Sequence, residues 1–215
     1  MAWLVQTKPL ARYVPRTETT PSGQELFRAQ SAYHERHPGF FKFSTEFPNQ
    51  GVPLPDELLP RAAQVKTAHK RLPDIFSLAG LGVSERLKNS IEALEPGVHQ
   101  FKEVPVVMKD ASPAIGRYFA TVLGHLATDQ VVLEQSTIAP SSGIGLAKIA
   151  VPTPEDDEKV VIDRTRTDGW NIWYSKDIYW MITISNELKA LWDGMGVDCN
   201  VYVRLGETDS GATAR

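Results

Sequence analysis

Proline is distributed unevenly along this chain, and its distribution constrains the fold more than any other feature of the sequence. Nine of the 15 prolines lie in residues 1–73. Because proline fixes φ and lacks an amide proton, this third of the chain cannot hold long helices or central strands. We therefore expect 1–73 to be an extended segment with short elements, packed on a body formed by 74–215 within a single domain. Four phenylalanines supply apolar surface for this packing: Phe40, Phe41, Phe43 and Phe47.

The charge balance and the apolar runs exclude several classes of protein. The 23 basic and 26 acidic residues give a formal net charge of −3, whereas proteins that coat nucleic acid are clearly basic. The apolar-rich segment 179–184 is too short to cross a bilayer, and the N-terminus lacks the apolar core of a signal peptide. Cys199 is the only cysteine, which excludes internal disulfides and a multi-cysteine zinc site. We expect a cytoplasmic protein with neither nucleic acid nor a membrane among its partners.

Two regions carry the same pattern of a strand, a capped helix and a second strand: 74–106 and 177–205. Ser84 precedes the first helix as its N-cap, where its hydroxyl accepts a hydrogen bond from a first-turn amide, and Ser185 precedes the second. The apolar residues have the same spacing from these serines in both regions: Leu87, Ile91 and Leu94 in the first, and Leu188, Trp192 and Met195 in the second. Because capped helices resemble one another, the sequence leaves open whether the unit is duplicated.

Four further strands are expected between these regions, at 118–123, 131–135, 146–151 and 159–164, because each is rich in β-branched or large apolar residues. One of them is ambiguous. The apolar residues of 115–126 also fit a helical stripe, and periodicity alone favours a helix there. Together the elements predict an α+β fold with a mixed or largely antiparallel sheet and a few helices.

The sequence contains no constellation of residues that indicates catalysis, a metal site or a cofactor. His34 and His37 are three residues apart and lack an evident third ligand. Cys199 follows Asp198, whose negative charge disfavours a reactive thiolate. The glycine-containing loop at 140–145 lacks the spacing of a phosphate-binding loop. We therefore expect a protein that is not an enzyme.

Two segments are candidates for binding a partner. An acidic run would steer a basic partner, although a solvated loop is the simpler interpretation: Glu155, Asp156, Asp157 and Glu158. An aromatic cluster favours either a core strand or a set of interface anchors: Trp170, Trp173 and Tyr174, followed by Tyr179 and Trp180. A small-ligand-binding domain or enzyme also stays open, in which Arg164, Arg166 and Trp170 line an anion-binding cleft. In a third alternative, the aromatic strip serves a scaffold protein as its oligomer contact.

The two repeated regions carry a resemblance to a known family. The segments 83–88 and 95–101 resemble the "VSERLK…GVxF" block of a bacterial family long filed as a domain of unknown function. The segments 161–164 and 184–189 are similar to the C-terminal block of that family, which is grouped with the predicted immunity proteins of polymorphic toxin systems. The resemblance covers 74–205, and Asn186 departs from the family's pattern.

The resemblance implies a small cytosolic protein that is encoded beside a secreted toxin and protects the producing cell by binding it. It supplies no catalytic residues, and it implies that 117–123 is a strand. Our leading hypothesis is therefore a non-catalytic immunity protein that neutralises a cognate toxin by occlusion.

Overall fold

A computed structural model describes residues 1–7, 15–34, 36, 51–138, 149, 151–178, 181–197 and 200–209. The contacts divide the chain into two compact units, which we call unit 1 (Met1–Gln6 and His125–Arg215) and unit 2 (Thr7–Gly124). The expected boundary at residue 73 falls inside unit 2, and the division into 1–73 and 74–215 stays a prediction. The four phenylalanines expected to dock the N-terminal segment lie outside the described residues, as do His37, Asp198 and Cys199.

Three α-helices and 13 β-strands form within the described residues, so the predicted α+β class is confirmed, with the sheets predominant. The helices are α1 Gly23–His34, α2 Glu85–Leu94 and α3 Asn186–Gly194. The strands are β1 Ala2–Thr7, β2 Thr17–Thr20, β3 Ala62–Val65, β4 Ile75–Ser77, β5 Leu81–Ser84, β6 Gln100–Glu103, β7 Val106–Val107, β8 Tyr118–Val122, β9 Leu126–Ala127, β10 Val161–Asp163, β11 Ile172–Ser175, β12 Met181–Ser185 and β13 Asn200–Thr208.

Unit 1 is built on one six-stranded sheet in the order β10-β13-β1-β12-β11-β9. The sheet is mixed, as predicted: β12 is antiparallel to β1 and β11, whereas β10 is parallel to β13 and β9 to β11. Its core includes Trp173, Ile178 and Val203. Leu188 and Trp192 of α3 are fully buried, as their spacing predicts for the inner face of an amphipathic helix.

Unit 2 contains a three-stranded sheet, β2-β3-β7, and a four-stranded antiparallel sheet, β4-β5-β8-β6. All five residues of β8 are buried. The helix favoured by periodicity at 115–126 is therefore wrong there, and the strand implied by the resemblance is confirmed. A strand that is buried on both faces shows no alternation of apolar and polar residues, so its pattern cannot be told from a buried helix.

Other strand predictions hold in part. The strand expected at 159–164 is β10, but 131–135 forms only a bridge from Val131 to Ile162, followed by a 3-10 helix, Leu133–Gln135. The strand expected from Asp177 begins later, because a 3-10 helix, Lys176–Ile178, precedes β12. Most of 146–151 lies outside the described residues.

The strand–helix–strand unit is repeated in the structure. In unit 2 the strand before α2 lies between β4 and β8, and β6 follows on the far side of β8. In unit 1 the strand before α3 lies between β11 and β1, and β13 follows on the far side of β1. The strand registers match as well, because Ser84 pairs with the first residue of β8 and Ser185 with the first residue of β1.

Side-chain contacts repeat along with the strands. Lys88 forms an ion pair with Glu92 and lies over the Phe119 ring, 5.6 Å from its centre. At the matching place in unit 1, Lys189 forms an ion pair with Asp193 and lies 4.7 Å from the centre of the Trp3 ring. Neighbouring strands supply a second ring in each unit, Phe101 and Tyr202. The Leu-Lys pair common to both helices thus reflects a shared packing arrangement.

The two serine caps differ from each other. Ser185 accepts a hydrogen bond of 3.1 Å from the amide of Leu188, as predicted. Ser84 makes no side-chain cap bond, so the prediction of a capping hydroxyl is wrong at that position. Its hydroxyl donates to the carboxylate of Asp74 at 2.6 Å.

Candidate partner-binding surface

The aromatic cluster divides into buried residues and one residue at the surface. Trp173 and Tyr174 belong to β11 and are 2% and 4% exposed. The indole N–H of Trp173 donates to the side-chain oxygen of Gln130 at 3.1 Å, inside the core. These two side chains are therefore buried in unit 1, although Trp173 also contributes to the lining of a surface pocket. Their role in binding stays a prediction. Tyr179 and Trp180 lie outside the described residues.

Trp170 lies in the turn before β11 and is half-buried. Its indole stacks on the imidazole of His125, with ring centres 4.3 Å apart and planes 7° from parallel. This stacking fixes the orientation of the indole without burying it. A ring held in this way loses little conformational freedom when a partner covers it, which is the property of a good interface anchor.

Trp170 lines a surface pocket of about 390 Å³ in unit 1. Five segments meet there: Met1, the residues after β10, the turn before β11, the first turn of α3 and the end of β13. Its polar lining includes Arg164, Asp168, Asn171, Asn186, Glu187 and Glu207. The pocket thus brings together Arg164 and Trp170, two of the three residues that the sequence suggested for an anion-binding cleft, but not Arg166.

The charges of this pocket favour a cationic guest over an anionic one. Arg164 already has an anionic partner, because its guanidinium lies 3.4 Å from Asp209. Arg166 faces Asp163 at 3.9 Å and does not line the pocket. Among the described residues, the remaining charged groups of the lining are three carboxylates and the α-amino group of Met1, which pairs with Glu207 at 2.8 Å. An anion entering here would meet more negative than positive charge.

In unit 2, the position that matches this part of the unit 1 pocket carries an ion pair between an arginine and an aspartate. The registers align Asn171 with Asp74 and Glu187 with Arg86. In unit 2 the Arg86 guanidinium forms an ion pair and two hydrogen bonds with the Asp74 carboxylate. Burial raises the pKa of Asp74, but the hydrogen bonds from Arg86 and Ser84 outweigh burial and leave that pKa below its usual value. Unit 1 has glutamate at the position of this arginine, so it lacks the cation that pairs with Asp74 in unit 2.

Hydrogen bonds and ion pairs hold the acidic run and partly compensate its charges. Asp156 caps a 3-10 helix, Pro154–Asp156, by accepting from the Thr153 amide and hydroxyl, each at 2.8 Å. Hydrogen bonds from Lys159 and Thr153 lower the pKa of Asp156 to about 2. Glu158 pairs with Arg204 at 2.8 Å, and Asp157 accepts from the Arg204 amide. Glu155 is the exposed member of the run for which the structure shows no such partner within the described residues.

Comparison with known protein families shows which family the chain belongs to. Residues 12–192 match the model of the Immunity protein family (Imm11). The chain belongs to this family. The Imm11 match covers most of unit 2. In unit 1 it includes the pocket-lining turn at Trp170 and the first seven residues of α3. No curated protein matches the chain.

The described residues contain no group of three or more histidine, cysteine, aspartate or glutamate side chains arranged to hold a metal ion. None of the described helices is long and apolar enough to cross a membrane.

Sequence reasoning missed part of this Imm11 surface. Glu187 lies in the first turn of α3, and nothing in the sequence indicates that it lines a pocket with Trp170. Glu207 lies on β13, and only the fold brings it to the pocket. One signal was available: Asn186 departs from the family's pattern, and it lines the pocket while accepting a hydrogen bond of 3.3 Å from the Trp3 indole.

Proposed function

We propose that this protein is the immunity protein of a bacterial polymorphic toxin system and neutralises a cognate toxin by binding and occluding it in the cytoplasm. The observation that carries the proposal is the Imm11 match over residues 12–192. The chain acts in this proposal as a non-catalytic inhibitor. Its partner is the toxin domain encoded next to it.

We further propose that the toxin inserts a basic side chain into the unit 1 pocket. Asp168 and Glu187 supply negative charge, and the half-buried indole of Trp170 supplies a flat surface on which a guanidinium can stack. The Arg86–Asp74 pair of unit 2 supports this assignment, because it is an arginine held at the matching place of the repeated unit. In unit 1 the partner would supply that arginine.

The acidic run has a different role in this proposal. Its geometry is fixed by Lys159 and Arg204, so it presents a defined patch rather than a mobile tail. Charges at the margin of an interface mainly raise the rate of association, whereas a buried anchor mainly slows dissociation. We assign the run 155–158 to steering of a basic toxin and Trp170 to retention of the bound toxin.

Co-expression tests the function directly. The toxin domain from the adjacent gene should poison cells, the wild-type protein should rescue them, and the two proteins should co-purify. Glu187→Arg is the most specific variant, because it places a guanidinium where Arg86 lies in unit 2 and fills the pocket from within. We expect it to abolish rescue while the thermal unfolding midpoint stays close to that of the wild type.

The matched control is Glu134→Arg, which makes the same charge change at an exposed position of unit 1 outside the pocket. Rescue should survive this change. If the wild-type protein neither binds nor protects against the adjacent gene product, the proposed function is wrong. If wild type protects and Glu187→Arg protects equally, the function stands and the pocket is not the contact.

A further inference from the structure

A groove in unit 2 has a polar rim of opposite charge to the unit 1 pocket. Its volume is about 830 Å³, and it lies between the loop that follows β3 and the hairpin that follows β7. Because β3 and β7 are parallel, their C-terminal ends lie at the same end of the sheet, and both following loops begin there. His69 and Lys70 come from the first loop, and Lys109 comes from the hairpin.

The hairpin wall of this groove is fixed by its own hydrogen bonds. The Met108 amide donates to the Ser112 carbonyl at 2.7 Å, and the Ala114 amide donates to the Val106 carbonyl at 2.9 Å. At the tip, Asp110 accepts from the amide and the hydroxyl of Ser112 at 3.0 and 2.6 Å. Asp110, the one carboxylate in the described lining, is therefore held within its own turn, and the described lining keeps a net positive charge.

Within the part of the chain that the structure describes, two lysines of the groove differ from the other lysines in having no partner for their side chains. Lys70 and Lys109 line the groove, and the structure shows neither an ion pair nor a hydrogen bond for their side chains within the described residues. Elsewhere lysines pair with carboxylates: Lys66 with Glu18, Lys88 with Glu92, Lys159 with Asp156 and Lys189 with Asp193. An acidic ligand would complete the same pairing in the groove.

The groove also offers apolar surface. Ile115 is 81% exposed, the largest exposed fraction among the described large apolar side chains, and it lines the groove with Met108 and Pro113. An isolated exposed isoleucine is ordinary, but one beside an open groove gains most from a ligand that covers it. No phenylalanine, tyrosine or tryptophan is part of the described lining, so the groove lacks the large stacking platform typical of sites for single-stranded nucleic acid.

We propose that this groove binds an acidic peptide segment that carries an apolar side chain, with carboxylates on Lys70 and Lys109 and the apolar side chain on Ile115. The inference rests on the proposed function, because it assigns that segment to the toxin. It adds a second contact, of opposite charge, to the one at the unit 1 pocket. A partner must then satisfy both charge patterns, which increases specificity for one toxin.

A synthetic probe tests the groove independently of any toxin. The full-length protein is titrated with a fluorescein-labelled eight-residue peptide of alternating glutamate and leucine, and with the same peptide carrying glutamine for glutamate. We expect saturable binding of the acidic peptide only. The double variant Lys70→Gln/Lys109→Gln and the single variant Ile115→Ser should each weaken binding roughly tenfold.

The matched control is Arg28→Gln/Arg61→Gln, which removes two exposed positive charges from unit 2 outside the groove. Equal weakening by this control would show a general charge effect and overturn the proposal, as would absence of saturable binding to the wild type. An eight-nucleotide oligothymidylate that binds as tightly as the peptide, and is unaffected by Ile115→Ser, would overturn it in favour of nucleic acid.

The toxin complex separates the two proposals. If wild type binds the adjacent toxin domain and the lysine variant binds it at least several-fold more weakly, both proposals are supported. If toxin affinity is unchanged in the lysine variant, the groove assignment fails while the immunity function stands. If wild type binds no toxin, the immunity function fails, and the assignment of the groove to a toxin segment fails with it, whatever the peptide shows.

Discussion

Ser185 donates a hydrogen bond of 2.7 Å from its hydroxyl to the side-chain oxygen of Asn171, the residue before β11. Ser84 makes the same contact with Asp74, the residue before β4, at 2.6 Å. In both units the serine thus ties the start of a helix to the neighbouring strand. The two contacts differ in one respect: Asp74 also holds Arg86, whereas Asn171 has glutamate at the matching helical position.

This difference predicts unequal effects of truncation. Asp74→Ala removes a largely buried carboxylate and leaves Arg86 and Ser84 without their acceptor, so we expect a loss of about 2–3 kcal/mol in the free energy of unfolding. Asn171→Ala removes one neutral acceptor and should cost about 1 kcal/mol. Chemical denaturation of both variants measures the two values. Equal losses would show that the ion pair with Arg86 adds nothing to the hydrogen bond.

The Asp74 carboxylate also predicts a dependence of stability on pH. Its pKa in the folded protein lies below the ordinary value of 3.8, so its ionised form favours the folded state. This contribution is complete above pH 3.8 and is lost as the pH falls through the lower folded pKa. The stability difference between wild type and Asp74→Asn should therefore shrink below about pH 4. The difference between wild type and Leu191→Ala, which changes no titratable group, should stay constant over the same range.

Local patterns in the sequence located α2 and α3, because the serine, the first-turn glutamate and the apolar spacing all lie within one short segment. The partner of each serine was not predictable in this way. Asn171 meets Ser185 only through the register of β11 on β12, and register is decided by packing across the sheet. The same limit applies to β8, whose burial on both faces removes the alternation that identifies a strand.

The residues of the candidate site could be predicted only in part, again because local sequence does not determine how distant segments pack. The sequence selected Arg164 and Trp170, which do share a pocket, but it could not separate Trp170 from Trp173 three residues later. Trp170 lies in a turn, whereas Trp173 lies in β11, a strand that is buried on both faces. Whether each tryptophan is exposed therefore depends on where β11 begins. Only the fold brings Glu207 to the unit 1 pocket, and only the fold brings together the distant segments that line the groove of unit 2. Neither arrangement produces a pattern in the local sequence.

The inner face of α3 predicts a large loss of stability on truncation. Trp192 is fully buried, so Trp192→Ala should leave a cavity and cost roughly 3–5 kcal/mol in the free energy of unfolding. Leu191 is the adjacent residue on the same helix and is 42% exposed, so Leu191→Ala should change stability by about 0.5 kcal/mol or less. Denaturation midpoints of the two variants provide the comparison. An unchanged midpoint for Trp192→Ala would contradict the burial of this face.

The proposed division of labour between the acidic run and Trp170 predicts two different kinetic effects on toxin binding. Asp156, Asp157 and Glu158 are engaged with Lys159 and Arg204. Glu155→Lys is therefore the substitution that changes the electrostatic field around the acidic run with the least effect on its structure. It should slow association several-fold at low salt and leave dissociation nearly unchanged. The effect should fade as salt approaches about 1 M, where charges are screened within about 3 Å.

Trp170→Ala should act on the other rate constant. The indole stacked on His125 is the flat surface of the pocket, and its loss should speed dissociation by at least tenfold at all salt concentrations while association changes little. Surface plasmon resonance at low and high salt measures both variants against the same immobilised toxin domain. An unchanged association rate for Glu155→Lys would remove the acidic run from the encounter. Faster dissociation of Glu155→Lys, equal to that of Trp170→Ala, would place the run inside the interface, with its carboxylates in direct contact with the toxin.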